Sequence, residues 1–459
     1  MNAELAYLFR HALLRDAAYQ LQLPGDRERL HGLAFDLIEL LFGGPPPPEP
    51  AGDRGSIPFR PHPTDACAWE LSEHARIAVP EKRAGYLRRA AAVANRTWNA
   101  ELSERLWREH AALSSGGDRA ESLARAGTVA MHAGRLGEAL RLLEESLSLI
   151  RAEGDRLYEA RVLGSLVLAH RDAGRLDRAL ECGEAALALH RDFDRPHTRG
   201  LLLHNLATVC RGLGRAEEAE RCCLEARALI RACGGVGESD VLATLALLMR
   251  DRGRLEESER LFREALALCR ATGRRREEGV VIGNLATLLR STGRPELAWT
   301  LNREALAIDR QVGNRAHEGL VLLNIANALL AERKFEEAER LYGDALRIHR
   351  ETGTRRSEGI ALGNLAGLHL AMGRIGLAEE CIVEALAIHR ETRNRRFEGL
   401  HLCDYGAILL KSSRADEGRA SWRQGMEILR DLGADLDARG KVDDMRAVCR
   451  EVGVDAFEG

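Results

Sequence analysis

The dipeptide Gly-Arg returns on a fixed count along this chain. It stands at Gly134-Arg135, Gly174-Arg175, Gly214-Arg215, Gly253-Arg254, Gly293-Arg294 and Gly373-Arg374, with Arg333-Lys334 and Ser413-Arg414 in the two remaining places. Successive spacings are 40 residues, with a single 39. A period of this length means stacked structural units, none of which buries its apolar face without its neighbours. One elongated array with attachments is therefore expected, not several independent globules.

Small residues keep the same schedule. Seven before the marker stand Gly127, Val167, Ala207, Ala246, Ala286, Ala326, Ala366 and Gly406. Five after it stand Ala139, Ala179, Ala219, Ser258, Ala298, Ala338, Ala378 and Gly418. Twelve after it stand Ser146, Ala186, Ala226, Ala265, Ala305, Ala345, Ala385 and Gly425. Such residues let two antiparallel helices, A and B, approach closely, while leucines at neighbouring helical positions fill the rest. The marker glycine ends helix A, where a positive φ is wanted. Helix B follows, as over Phe335–Glu351.

These spacings resemble the tetratricopeptide repeat, a helix–turn–helix with small residues at its eighth, twentieth and twenty-seventh positions. The usual unit has about 34 residues. Here helix B and its loop are longer, as in Pins-type spindle adaptors, kinesin light chains and bacterial STAND ATPases. The resemblance implies an all-α, right-handed solenoid of antiparallel helix pairs whose A helices line the concave face.

Eight such repeats are expected over 120–434. Residues 1–44 read as helices Ala3–Ala18 and Arg27–Leu41, separated by the breaker Pro24-Gly25. Residues 45–64 hold Pro45 to Pro48, Pro50, Pro58, Pro61 and Pro63, and read as a linker or mobile loop. Residues 65–119 read as a degenerate repeat with helices Ala68–Ala78, Tyr86–Arg96 and Ala100–Leu113 and a turn near Ala94-Asn95. Residues 435–459 supply a closing helix over Leu436–Val452. The stretch from Tyr7-Leu8-Phe9-Arg10-His11-Ala12-Leu13 to Asp16-Ala17-Ala18-Tyr19 is similar to the segment that closes the ATPase module of STAND regulators. No G-x-x-x-x-G-K-[ST] loop occurs, so there is no phosphate cradle and ATP hydrolysis is not carried over.

A net charge of −3 gives no overall field to hold nucleic acid. The ten cysteines form no C-x-x-C pair and read as small apolar fillers in a reducing cytosol. No apolar run of about 18 residues occurs, so no membrane span is expected. Neither G-x-S-x-G nor H-E-x-x-H occurs, and no catalytic residue, cofactor or metal is assigned. His190, His349 and His389 fall near the ends of B helices, where the helix dipole favours a partly positive imidazole. Arg274-Arg275-Arg276, Arg355-Arg356 and Arg395-Arg396 precede Glu278, Glu358 and Glu398, and read as solvated helix entrances.

Function is expected on the A helices. Nine before each marker stand Arg125, Ser165, Asn205, Thr244, Asn284, Asn324, Asn364 and Asp404, all polar. Asparagine both donates and accepts, so a row of it holds the backbone of an extended peptide whatever its side chains. Asn327 is assigned to the same groove. One residue earlier stand mostly small residues, among them Gly164, Gly283 and Gly363, leaving room for a chain to lie close. Three before the marker come Arg171, Arg211, Arg250 and Arg290, then Leu330, Leu370 and Leu410. The expected partner is thus a protein or peptide segment, acidic at one end and apolar at the other. The first reading is a cytoplasmic scaffold or sensor in bacterial signalling or defence, with self-association through its terminal repeats possible. The second is a detached regulatory subunit of a separately encoded STAND ATPase; a hydrolase with an undetected site is the third. From the missing phosphate loop we expect calorimetry to show no ATP binding, and saturable binding in the micromolar range would contradict that.

Overall fold

The structure, a computed structural model, describes residues 23–47, 61–97, 99–191, 193 and 195–455. The STAND-like stretch 7–19, the helix expected over Ala3–Ala18 and most of the proline-rich segment lie outside the described residues. The chain divides into two compact units, Met1–His132 with Glu138–Val162, and Ala133–Gly137 with Leu163–Gly459.

The first unit contains α1 (Pro24–Leu41), a 3-10 turn (Pro63–Cys67), α2 (Ala68–Ala78), α3 (Pro80–Arg96), α4 (Ala100–Leu113) and α5 (Gly116–His132). It also holds most of α6 (Leu136–Glu153) and the start of α7 (Arg156–Asp172). Helix α1 starts at Pro24, earlier than the expected Arg27, because proline in the first turn of a helix gives up an N–H that has no intrahelical partner. Helix α3 runs straight through Ala94-Asn95. The expected turn comes a few residues later, where the Asn99 side chain accepts the Leu102 N–H at 3.2 Å. Phe35, Leu71, Tyr86, Leu87, Leu106 and Trp107 pack into this unit's core. Inside it, the Glu39 carboxylate accepts from the Tyr86 hydroxyl at 2.6 Å and from Lys82 Nζ at 3.0 Å.

In the second unit the A helices are α9 (Pro196–Gly212), α11 (Glu238–Asp251), α13 (Arg275–Ser291), α15 (Arg315–Ala331), α17 (Arg355–Ala371) and α19 (Arg395–Lys411). The B helices are α8 (Leu176–His190), α10 (Ala216–Ala232), α12 (Leu255–Thr272), α14 (Pro295–Val312), α16 (Phe335–Glu351), α18 (Ile375–Glu391) and α20 (Ala415–Asp431). Helix α21 (Asp435–Val452) packs on α19 and α20 like a ninth helix A. Among the described residues there is no strand. The marker turns are left-handed at Gly174, Gly214, Gly293 and Gly373, and Arg333 (φ 61°) and Ser413 (φ 63°) take the same conformation without glycine. An L residue there costs about 1–2 kcal/mol, so the turn is imposed by the helices it joins.

The helix crossings are as tight as the small residues require. Ala286, Ala305, Ala326, Ala345, Ala366 and Ala385 have no accessible surface. In the last repeat glycines replace them. A Cβ at Gly418 would lie 2.8 Å from the Gly406 carbonyl oxygen, and one at Gly425 would lie 2.7 Å from that of Gly399.

Successive repeats are riveted by a buried carboxylate. Glu278, Glu318, Glu358 and Glu398 lie in the first turns of α13, α15, α17 and α19, and each is at most 5% exposed. Each takes one guanidinium from the end of the preceding B helix (Arg270, Arg310, Arg350, Arg390) and one from its own helix (Arg275, Arg315, Arg355, Arg395), at 2.5–3.2 Å. The expectation of a merely solvated entrance is therefore corrected for the glutamates, because two guanidiniums replace the water they give up. Burial works to raise the Glu358 pKa, but the hydrogen bonds from Arg350 and Arg355 hold it below the usual carboxylate value.

The B-helix histidines also differ from expectation. His349 and His389 are fully buried, and a Cβ at Gly319 or Gly359 would run into their rings. Loss of water pushes the His349 pKa down to about 4 and that of His389 to about 3, and it lowers His190 as well. Desolvation outweighs the helix dipole, so these imidazoles are neutral.

The second unit also meets itself after one superhelical turn. The marker turn at Gly174 abuts Thr392 and Arg393, in the turn between α18 and α19. Gly214 abuts Leu432, between α20 and α21, and a Cβ there would lie 3.4 Å from the Leu432 oxygen.

Two outcomes follow for stability. Alanine is the better helix former by up to about 1 kcal/mol, so Gly343→Ala, with open space at its Cβ, should raise the melting temperature. Gly418→Ala meets backbone and should lower stability by about 1–3 kcal/mol; equal effects of the two would disprove the close crossing. The second concerns pH. The unfolded chain's histidines take up protons below about 6.5, while buried His349 and His389 do not. Stability should be full above that pH and fall as pH drops toward their folded values, with a further loss below about 4.3 as Glu358 protonates. A melting curve flat down to pH 5 would show that these histidines titrate normally.

Candidate functional site

The polar row expected in the groove lies along consecutive A helices of the second unit. Asn205, Asn284, Asn324 and Asn364 are half-buried on α9, α13, α15 and α17. Side chains reach from one A helix to the next, so the row forms one surface. His204 Nε2 lies 2.8 Å from the hydroxyl of Thr244, and Asn324 Nδ2 donates to Thr287 Oγ1 at 3.2 Å. Burial pushes the His204 pKa down to about 4, which leaves it neutral and dipolar. Among the described residues the side-chain amides of Asn205, Asn284 and Asn364 make no hydrogen bond.

The remaining candidates are more committed. Thr244 is buried beneath His204. Asp404 accepts from Lys441 Nζ of α21 at 2.5 Å, so the closing helix occupies that end of the row. A pocket of about 180 Å³ remains beside this pair, lined by Leu370, Cys403, Trp422 and Met445. Asn327 accepts the Tyr342 hydroxyl at 2.5 Å, within its own repeat.

The small residues one place earlier do not all leave room for a chain. A Cβ at Gly283 would lie 3.0 Å from the His317 ring, and one at Gly363 would overlap that of His401. These glycines admit a histidine from the next A helix, and burial lowers the His401 pKa to about 3. At Gly164 alone of the three is the space open.

The arginine row meets acids of this chain. Arg171 lies 2.7 Å from Asp172, Arg211 lies 3.4 Å from Asp251 and Arg250 lies 3.0 Å from Asp251. Arg290 is exposed. Two arginines assigned from sequence to helix entrances face this row across the superhelical turn. Arg396 pairs with Asp437 at 2.6 Å and stands 3.8 Å from Asp251. Arg356 donates to Asn394 Oδ1 at 3.1 Å. Loss of water, with Arg171 close by, lowers the Arg356 pKa against the pull of Asp172. Loss of water also lowers that of Arg211, where Arg250, Arg396 and Arg356 outnumber Asp251. No sequence signal marked these encounters, since residues about 145–185 apart meet only once a full turn is built.

Among the described residues no group of three His, Cys, Asp or Glu side chains is placed to hold a metal. No described helix is long and apolar enough to cross a membrane.

Comparison with known proteins agrees with this architecture. No curated protein sequence matches the chain. A solved Rap protein in complex with Competence and Sporulation Factor superposes with a TM-score of 0.56 at 13% identity, covering 76% of this chain and 98% of its own. The apo form of RapI gives a TM-score of 0.49 at 12% identity over 58% of this chain and 98% of its own. A STAND protein with a tetratricopeptide repeat sensor from Pyrococcus horikoshii gives 0.46 at 14% identity over 76% of this chain and 54% of its own. The tetratricopeptide repeat family profile matches residues 118–192, 198–271, 237–311 and 317–391, and the chain belongs to that family.

Proposed function

We propose that the A-helix row of the second unit holds an extended segment of a protein partner, and that the chain acts as a cytoplasmic scaffold or sensor in bacterial signalling or defence. Tetratricopeptide repeats are protein-interaction modules, and the Rap protein of like fold is seen in complex with a factor. One observation carries the reading: Asn205, Asn284 and Asn364 stand at the same position of alternate A helices, α9, α13 and α17, with amides that no described group satisfies. Half-buried amides left this way favour a partner that brings both donors and acceptors, as a peptide backbone does.

One observation favours the second reading, a regulatory subunit docking on a separate ATPase. On α1, Leu33, Leu37 and Leu40 are 56–74% exposed at helical spacing. That face suits an apolar contact, and an ATPase module encoded beside this chain would supply it.

The test is the triple change Asn284→Ala, Asn324→Ala and Asn364→Ala. It removes no core volume, and alanine is the better helix former, so melting should be unchanged or slightly higher. Each lost hydrogen bond costs about 0.5–1.5 kcal/mol, so affinity for a partner recovered by affinity purification should fall about tenfold to a thousandfold. Because Asn324 already serves Thr287, the lower end is expected. Early melting would make these residues structural, and unchanged affinity would place the partner on another face.

A further inference from the structure

The second unit gathers more cations inside its superhelical turn than its own acids neutralise. Arg171, Arg211 and Arg250 come from the ends of α7, α9 and α11, and Arg356 and Arg396 from the starts of α17 and α19 on the facing wall. Against these five stand Asp172, Asp251 and Asp437. Asp251 alone is shared by Arg211 at 3.4 Å, Arg250 at 3.0 Å and Arg396 at 3.8 Å. For Arg356, no described carboxylate comes within ion-pair distance; it donates to the neutral Asn394.

These groups are enclosed yet reachable. Arg211 and Asp251 each keep 29% of the side chain accessible, and Arg356 is exposed to the lumen while protein surrounds it. Low-dielectric walls around a water-filled gap concentrate the field of like charges. Arginines crowded in this way cost stability unless an anion joins them, and Arg356, unlike every arginine of the buried glutamate rivets, touches no described carboxylate.

We propose that this lumen binds the carboxylates of an acidic peptide segment, gripped from both walls by Arg211 and Arg356 with Arg396 beside them. This rests on the reading of the A-helix row as the partner surface, and it identifies the partner's charge. A peptide fits better than a single phosphate because the guanidiniums are spread over two walls around three aspartates and do not converge on one point. Asn205 and Asn364, on the same helices as Arg211 and Arg356, stand ready for the peptide backbone.

The experiment uses the full chain and a fluorescein-labelled penta-aspartate peptide, read by anisotropy at low and at high salt, with pyrophosphate as competitor. Saturable binding that weakens with salt is expected. Arg211→Gln with Arg356→Gln should weaken it about tenfold or more, since two charge-assisted contacts are lost. The same variant should melt no lower than the parent, because it relieves repulsion. Arg260→Gln with Arg347→Gln, on exposed B-helix surfaces, should leave affinity within about twofold. Absence of saturation, an equal loss in the surface control, or tighter binding of pyrophosphate than of the peptide would each overturn the proposal. Lower melting of the Arg211/Arg356 variant with unchanged binding would do so too. The asparagine triple separates the two readings. If it binds the recovered partner normally while the arginine variant loses penta-aspartate, the groove reading fails and the anion site stands.

Discussion

Everything in the array depends on a crossing where helix A and helix B come so close that small residues, mostly alanine, fill it. At Ala286 and Ala305, or Ala366 and Ala385, the backbones supply the packing surface themselves, and dispersion replaces side-chain interlocking. Alanine contributes little apolar area, so the flanking leucines carry the hydrophobic gain while the small residues set the geometry. Repeating that geometry without drift makes the second unit wind into a superhelix, since each repeat inherits the same rotation from its neighbour.

A second interaction couples one repeat to the next. Glu278, Glu318, Glu358 and Glu398 are buried acids that would be costly alone. Each is held by an arginine from the repeat before and an arginine from its own. A slipped interface would strand a carboxylate, so the pairs penalise misregister more than they add stability. Behind them, Gly319 and Gly359 give up their side chains to seat His349 and His389. The repeats are thus joined by polar groups that tolerate only one docking.

The superhelix has an electrical consequence. Winding brings the ends of early A helices opposite the starts of late ones, so Arg211 and Asp251 meet Arg396, and Asp172 nears Arg356. The marker glycine at Gly174 allows its turn to touch that at Thr392 without a Cβ in the way. The lumen is polar and unbalanced in charge, whereas the outer B-helix surface carries local pairs such as Arg347 with Asp344 and Glu351.

The period, the helix pairs and the small-residue crossings were legible in the sequence, because each is enforced within about 40 residues by local sterics. So were the polar identities at Asn205, Asn284, Asn324 and Asn364. Their availability was not legible: Asn324 serves Thr287, Asp404 serves Lys441 and Asn327 serves Tyr342 only once neighbouring helices are docked. Gly363 looked like space for a ligand, yet it is the seat of His401, whose position the next repeat sets. Spacing in sequence determines which residues share a face of one helix. Which charges oppose one another across a turn depends on the accumulated rotation of several repeats, and that only the tertiary structure decided.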